Sequence, residues 1–375
     1  MAGIYIHIPF CNQACHYCDF HFSTSRRLQK SMVDAISKEV EIQRYYLKTN
    51  KIKTLYFGGG TPSLLSNAQF EQIIHSVFNY FEPEPNFEFT VEANPEDLSR
   101  EKLQFLKKMG VNRLSIGIQS FHNAFLQYLN RIHDATQAIE AVKEARLAGF
   151  DNISIDLIFA IPYIDHTIWK KDIQQALALK PDHISAYHLT IEPGTVFGNW
   201  LAKNKLSIAD DQFAAEQFTM MYEALEKAGF MAYEISNYAK DGKISRHNSS
   251  YWKQAHYLGL GPGAHSYNGE TRQYNVANNP AYIKSIAIDT VPYSKEELSD
   301  ADAANEYIMT SLRTMWGCDV ALLKGKYSYD LIKEKKPELD RFIAEALVEL
   351  KEGKLMLRKK GRLYADKISA ELFWI

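Results

Sequence analysis

Short apolar runs recur through residue 189, at 4–8, 53–57, 87–91, 113–118, 152–159 and 183–189, and read as buried strands. Between them, apolar residues spaced three and four apart predict amphipathic helices at 28–47, 67–80, 96–108, 136–147 and 167–179. Gly110 and Gly149 stand where helix ends favour a left-handed residue, and Pro181 bars the last helix from continuing. Strand–helix alternation repeated about six times predicts parallel strands joined by right-handed crossovers. Six units are fewer than a closed eight-fold barrel needs. The expected architecture is therefore a partial (β/α)6 barrel in an α/β fold, with its chemistry at the C-terminal strand ends.

Beyond this series the pattern changes. A helix is predicted at 211–228, then an irregular stretch rich in Gly, Asn, Ser and Tyr at 233–267, then helix from 278 through 314. Residues 347–364 read as a helix followed by a β-hairpin and resemble a winged-helix module. The division expected is a core at 1–232, an irregular region at 233–290, and a smaller, mostly helical, winged-helix-like domain at 291–375.

Composition narrows the function classes. The chain has 375 residues, 46% hydrophobic and 23% charged, which is ordinary for a globular protein. A net charge of -2 implies no general attraction for nucleic acid. The N-terminus lacks a basic segment and a long apolar run, so it reads as a strand and not a signal peptide. No stretch approaches the roughly 18 apolar residues of a membrane span. Aromatic residues make up 13%, a content that suits either a flat aromatic ligand or a well-filled core.

Three of the four cysteines lie together as Cys11-x3-Cys15-x2-Cys18. One loop can wrap thiolates spaced in this way around a compact centre, and thiolates are the soft ligands that iron–sulfur clusters and zinc prefer. Structural zinc wants four protein ligands, usually in two close pairs. Here the fourth would be His16, His21 or distant Cys318, with no second pair. Three clustered thiols in a long chain do not make a disulfide framework. An iron–sulfur cluster is the better reading, and it leaves one iron of four without a protein ligand. Free thiols and an oxygen-sensitive cluster both point to a reducing cytoplasm.

The spacing, with Tyr17 before the third cysteine, resembles the signature of the radical S-adenosylmethionine (SAM) superfamily. The strings Tyr5-Ile6-His7-Ile8-Pro9-Phe10-Cys11 and Tyr17-Cys18-Asp19-Phe20 resemble one branch of it, the oxygen-independent coproporphyrinogen III oxidases and their heme-chaperone relatives. The resemblance implies a [4Fe-4S] cluster on Cys11, Cys15 and Cys18, with SAM beside it. It assigns to SAM Tyr5, the loop Gly59-Gly60-Thr61, Glu92 and Gln119. Arg131 would face the SAM carboxylate, and Asp156, a charge within an apolar strand, would also contact SAM. Tyr187 and Ala264 are weaker carry-overs. The family usually continues with a glycine before the proline, where this chain has Ala160-Ile161-Pro162.

Two features separate the branches. The oxidases carry a further cysteine where this chain has Phe20, and an extension before the first strand. The string Arg246-His247-Asn248-Ser249-Ser250-Tyr251-Trp252 also carries His-Asn-x-x-Tyr-Trp, which resembles the mark of the heme chaperones. An imidazole is a common axial ligand of heme iron, and Tyr251 and Trp252 could stack on a macrocycle. The resemblance thus implies heme binding by His247, Asn248, Tyr251 and Trp252; the atom that would bind iron stays open, with His265 or Tyr267 in competition. It implies transfer to a heme-accepting protein, a membrane-associated one among the candidates, and a homodimer. Oxidative decarboxylation of coproporphyrinogen III is the alternative.

Overall fold

The computed structural model describes residues 2–375. Strand β1 (Ala2–Ile8) leads through the cysteine loop into α1 (Gln29–Ile42). There follow β2 (Lys51–Gly59), α2 (Asn67–Phe78), β3 (Glu82–Ala93), α3 (Arg100–Lys108) and β4 (Arg113–Gln119). A short α4 (Asn123–Tyr128) precedes α5 (Ala135–Leu147), β5 (Ile153–Phe159), α6 (Thr167–Ala178) and β6 (His183–His188). Strands β1 to β6 pair in parallel in chain order. The six-fold alternation expected from the sequence is present.

Side-chain alternation explains what this sheet can do. On one face Ile4, Ile6, Leu55, Phe57, Phe89, Val91, Leu114, Ile116, Ile155 and Ile184 are fully buried in the main core under the helices. The opposite face carries Tyr5, His7, Thr54, Tyr56, Glu88, Thr90, Glu92, Arg113, Ser115, Ser154, Asp156, His183 and Ser185. Successive strand residues point to opposite faces. A polar interior is thereby separated from an apolar helix layer by a two-residue period. Asp156, read as a lone charge in an apolar strand, is one member of this lining.

The chain then extends both edges of the sheet. After α7 (Val196–Ala202) and α8 (Asp211–Lys227), β7 (Met231–Ala232) and β8 (Asn237–Ala239) join antiparallel beyond β6. Helix α9 (Arg246–Trp252) crosses to the other edge, where β9 (His256–Leu260) pairs in parallel with β1. Strands β10 (His265–Tyr267) and β11 (Arg272–Asn275), α10 (Asn279–Ala287) and β12 (Tyr293–Glu296) complete an open, mixed sheet of 12 strands. The stretch 233–267, expected to be irregular, is thus short strands around one helix. The segment from 278 to 314 is interrupted by β12.

Glu39 of α1 fastens this extension to the core. Fully buried, it accepts from Gly261 N–H (2.8 Å), Asn275 Nδ2 (2.7 Å) and the Tyr282 hydroxyl. Burial pushes its carboxyl up to about 7. Glu39→Ala strands these donors in the interior, where each costs about 1–3 kcal/mol. The expected result is a loss of about 3 kcal/mol in chemical denaturation, with Glu39→Gln markedly milder.

A second hydrophobic core forms beyond residue 299. It gathers α11 (Asp300–Leu312), β13 (Cys318–Asp319), α12 (Val320–Tyr327), α13 (Leu331–Glu334), α14 (Lys336–Ala344), β14 (Val348–Lys351), β15 (Lys354–Leu357) and α15 (Ala365–Glu371). Residues 347–364, read as a helix followed by a hairpin, instead begin with the hairpin β14–β15, to which β13 adds a third antiparallel strand. Residues 360–364 form a 3-10 turn in place of the strand read there. Among the described residues no helix is long and apolar enough to cross a membrane.

Candidate functional site

The cysteine loop leaves the end of β1 and is closed at its neck. Cys11 N–H donates to Ser23 O (3.1 Å), and Ser23 N–H to Pro9 O (3.0 Å). Its far side is tied to the residues after α4. Asn130 Nδ2 donates to Ala14 O (2.7 Å), Gln13 Nε2 to Asn130 O (2.9 Å), and His16 N–H to Leu129 O (3.1 Å). Asn130 sits at φ 60, a left-handed conformation that asparagine tolerates better than most residues.

The three thiols are free, partly exposed and close enough to repel one another when ionised. Burial raises Cys11 to about 11 and Cys18 to about 12. As thiolates they need a cationic partner, and a metal centre deprotonates a coordinating thiol outright. Two donors face the sulfurs: Thr61 Oγ1 at 3.4 Å from Cys11 Sγ, and Arg131 Nη1 at 3.5 Å from Cys15 Sγ. Hydrogen bonds to sulfur tune iron–sulfur clusters. Among the described residues no three His, Cys, Asp or Glu side chains converge on a single ion. This donor set fits a cluster held by three cysteines.

The residues expected to meet SAM line the polar face at the strand ends. Gly59 ends β2 with φ 103, and a Cβ there would lie 2.6 Å from the His7 ring. Glu92 accepts from Gly59 N–H (3.2 Å) and from Tyr56 Oη (2.6 Å), and burial pushes its carboxyl up to about 7. Asp156 accepts from Ser115 Oγ at 3.3 Å, and burial raises it too. Tyr5 Oη lies 3.1 Å from His7 Nδ1. Gly60 N–H donates to Ile8 O (2.9 Å), which holds the loop carrying Thr61 against the cysteine loop.

Arg131 reaches the same place from the loop after α4. Its Nη2 donates to Asn94 Oδ1 (2.6 Å) and Gly117 O (2.8 Å), while Nε is buried without a partner among the described residues. An unpaired guanidinium N–H at this mouth fits a ligand carboxylate. Asn94, which also donates to Thr61 Oγ1 (3.3 Å), was not singled out in the sequence, although it follows Glu92 by two residues. Gln119 ends β4 at φ 68 and Ala160 follows β5 at φ 60. Ala160 thus takes the conformation a glycine adopts without strain, and its N–H is held by Gln217 Oε1 (2.7 Å).

The His-Asn-x-x-Tyr-Trp motif forms α9, laid across the polar face. Glu88 accepts from the N–H groups of Arg246 (3.0 Å) and His247 (2.9 Å) at the helix start, where a carboxylate is favourable. His247 is 1% exposed. Its Nδ1 lies 2.8 Å from Thr54 Oγ1, its Nε2 lies 2.8 Å from Tyr251 Oη, and its ring stacks on Tyr56 at 4.9 Å. Gly3 makes the room, since a Cβ there would stand 2.5 Å from Thr54 Oγ1 and 3.3 Å from His247 Nδ1. Burial lowers His247 to about 3, so the ring is neutral.

With both nitrogens engaged, His247 offers none to a heme iron in this arrangement. The structure puts it behind Tyr251, whereas the sequence reading offered its imidazole as an axial iron ligand. Tyr251 does reach the wall. It lines a cavity of about 690 Å³ beside the cysteine loop and another of about 310 Å³ shared with Trp252. Asn248 lies in the first turn, its N–H bonded to Ser245 Oγ.

An open parallel sheet with three thiols at the end of its first strand defines a protein of the radical SAM class, and the Radical SAM superfamily model matches residues 5–173. The HemN C-terminal domain model matches residues 298–364. Escherichia coli coproporphyrinogen III oxidase, HemN, has the same fold with a TM-score of 0.84 at 21% identity, over 99% of this chain and 90% of that one. Heme chaperone HemW of Bacillus subtilis is 36% identical over 98% of both chains. The Lactococcus lactis HemW is 33% identical over 98% of this chain and 94% of its own. The chain belongs to the HemW family.

Proposed function

We propose that the protein is a heme chaperone: it binds heme beside a SAM-bearing [4Fe-4S] site and passes it to an acceptor protein. Cys11, Cys15 and Cys18 would hold the cluster, whose thiolate-free iron supplies a coordination position for SAM. Tyr5, Gly59, Gly60, Thr61, Glu92, Gln119, Arg131 and Asp156 would bind and orient SAM. Tyr251 and Trp252 would meet the heme, with Asn248 in the same helix. His247 would act through Tyr251, whose hydroxyl it holds. The acceptor would be a heme protein, a membrane-associated one included, and the working unit a homodimer.

One observation carries this reading. The ring of His247 is wedged between Tyr56, which bonds Glu92 on the SAM side, and Tyr251, which lines the cavity beside the cysteine loop. In this reading the motif on α9 would stand between the SAM site and the heme site. Incubation with coproporphyrinogen III, SAM and a low-potential reductant, followed by product analysis, tests the reading. The expected result is no protoporphyrinogen above background. Catalytic turnover would replace this reading with the oxidase one.

Glu92 gives the SAM site a pH dependence. Its folded pKa of about 7 lies above the ordinary carboxylate range, so the folded protein retains a proton that the unfolded chain releases. Stability from this group is present at low pH and is lost as pH rises through about 7. The sulfonium and ammonium of SAM outnumber its carboxylate, so SAM favours ionised Glu92. Affinity measured by anaerobic calorimetry is expected to rise between about pH 6 and about pH 8, and Glu92→Gln to flatten that rise.

A further inference from the structure

The cavity beside the cysteine loop is lined by Tyr5, His7, Phe20, Tyr251, Tyr257 and His265 among others. Its volume of about 690 Å³ falls within the roughly 300–1,000 Å³ of ligand sites. The smaller cavity shares Tyr251, Tyr257 and His265, so these three form the partition between the two.

Three imidazoles, His7, His21 and His265, line this space, and His247 lies behind Tyr251; all but His265 are tied into the fold. His7 spans Tyr5 Oη (3.1 Å) and His21 O (2.8 Å). His247 spans Thr54 and Tyr251. His21 is held at Nε2 by Asn279 Oδ1 (2.8 Å), which leaves only Nδ1 uncommitted. His265 differs. Its ring is exposed and, among the described residues, makes no hydrogen bond. It is nonetheless aimed: His265 pairs with Tyr274 across β10 and β11, and the two rings stack at 5.4 Å. Partial burial, then Arg272 nearby, lower its pKa. The shift favours the neutral ring, and the geometry leaves both ring nitrogens without a hydrogen-bond partner among the described residues.

We infer that His265 is the axial ligand to the iron of a heme bound in this cavity, with Phe20 and Tyr257 against the macrocycle. The inference rests on the heme-chaperone reading of the same site. The bond is dative, from an imidazole nitrogen to iron, with no change in oxidation state. Phe20 is 66% exposed beside Cys18, an apolar ring left for a ligand to cover. An exposed ligand on a three-residue strand pairing also suits cargo that must leave, because its loss disturbs no buried hydrogen bond. Burial of the His247 imidazole has the opposite consequence, since its release would strand Thr54 and Tyr251.

The test is an anaerobic titration of ferric heme into the cluster-loaded protein, read by heme difference spectra and electron paramagnetic resonance. The unsubstituted protein, His265→Ala and His21→Ala are compared, each with and without free imidazole. His265→Ala is expected to keep its iron–sulfur content and SAM affinity, to lose the nitrogen-ligated heme signature and to bind heme at least about tenfold more weakly. Imidazole is expected to restore the signature. A His265→Ala spectrum and affinity like those of the unsubstituted protein would overturn the assignment. So would a defect confined to His21→Ala, or one that imidazole does not rescue. Failure of the unsubstituted protein to saturate would instead sink the chaperone reading itself, and that outcome is visible before any variant is compared.

Discussion

Cys18→Ala, reconstituted with iron and sulfide under anaerobic conditions, is expected to emerge without a cluster and without measurable SAM binding. The reason lies in the loop. It presents three thiols and, among the described residues, no nearby fourth side chain that completes an ion site with them, so removal of one leaves two ligands for a four-iron centre. Because burial alone disfavours ionised Cys11 and Cys18, the remaining pair gains little from staying charged. Cys318→Ala is the control. That thiol is fully buried in the second core, so its loss should lower stability by about 1–2 kcal/mol as a small cavity while iron content stays unchanged. Iron and sulfide analysis reads both outcomes. Full iron in Cys18→Ala would mean that another residue ligates the centre.

His247→Ala is expected to bind heme at least about tenfold more weakly, a loss of about 1.4 kcal/mol or more, with its cluster intact. The substitution empties a buried space between Tyr56 and Tyr251 and leaves the hydroxyls of Thr54 and Tyr251 without their partner. Tyr251 is then free to leave the cavity wall. His247→Gln, which can reach one of the two hydroxyls, should retain part of the affinity. Fluorescence quenching of the aromatic cavity wall by heme provides the measurement. Equal affinities in both variants and the unsubstituted protein would remove α9 from the heme site.

Local chemistry made the cluster loop legible. Three cysteines three and two residues apart state their purpose without any knowledge of distant contacts. Glu92, Gln119 and Asp156 were singled out by the family resemblance; the residue pattern alone added only that Asp156 is a charge within an apolar strand. Their supports were not singled out. Asn94 and Ser115 are small polar residues of ordinary strand ends, and only the assembled face shows that they hold Arg131, Thr61 and Asp156.

The region after β8 was hidden for a different reason. Helix α9 packs its motif against the polar face of the sheet, so it lacks the apolar stripe by which helices are found. Strand β9 finds its place beside β1 through pairing between residues 2–6 and 256–260, a partnership that no local pattern encodes. Glu39 occupies a core position of α1, and its partners on β11 and α10 lie more than two hundred residues away. The motif residue His247 was recognised, while its burial was not, because burial depends on Gly3 and Thr54 giving it room.

The central claim is that this chain carries heme. Its most direct test is an anaerobic heme titration of the cluster-loaded, SAM-bound protein, followed by mixing with an excess of apomyoglobin as a generic acceptor. The account predicts saturation at a single heme per chain, then transfer of that heme to the acceptor. Weak, unsaturable uptake, or heme that cannot be recovered by the acceptor, would contradict it.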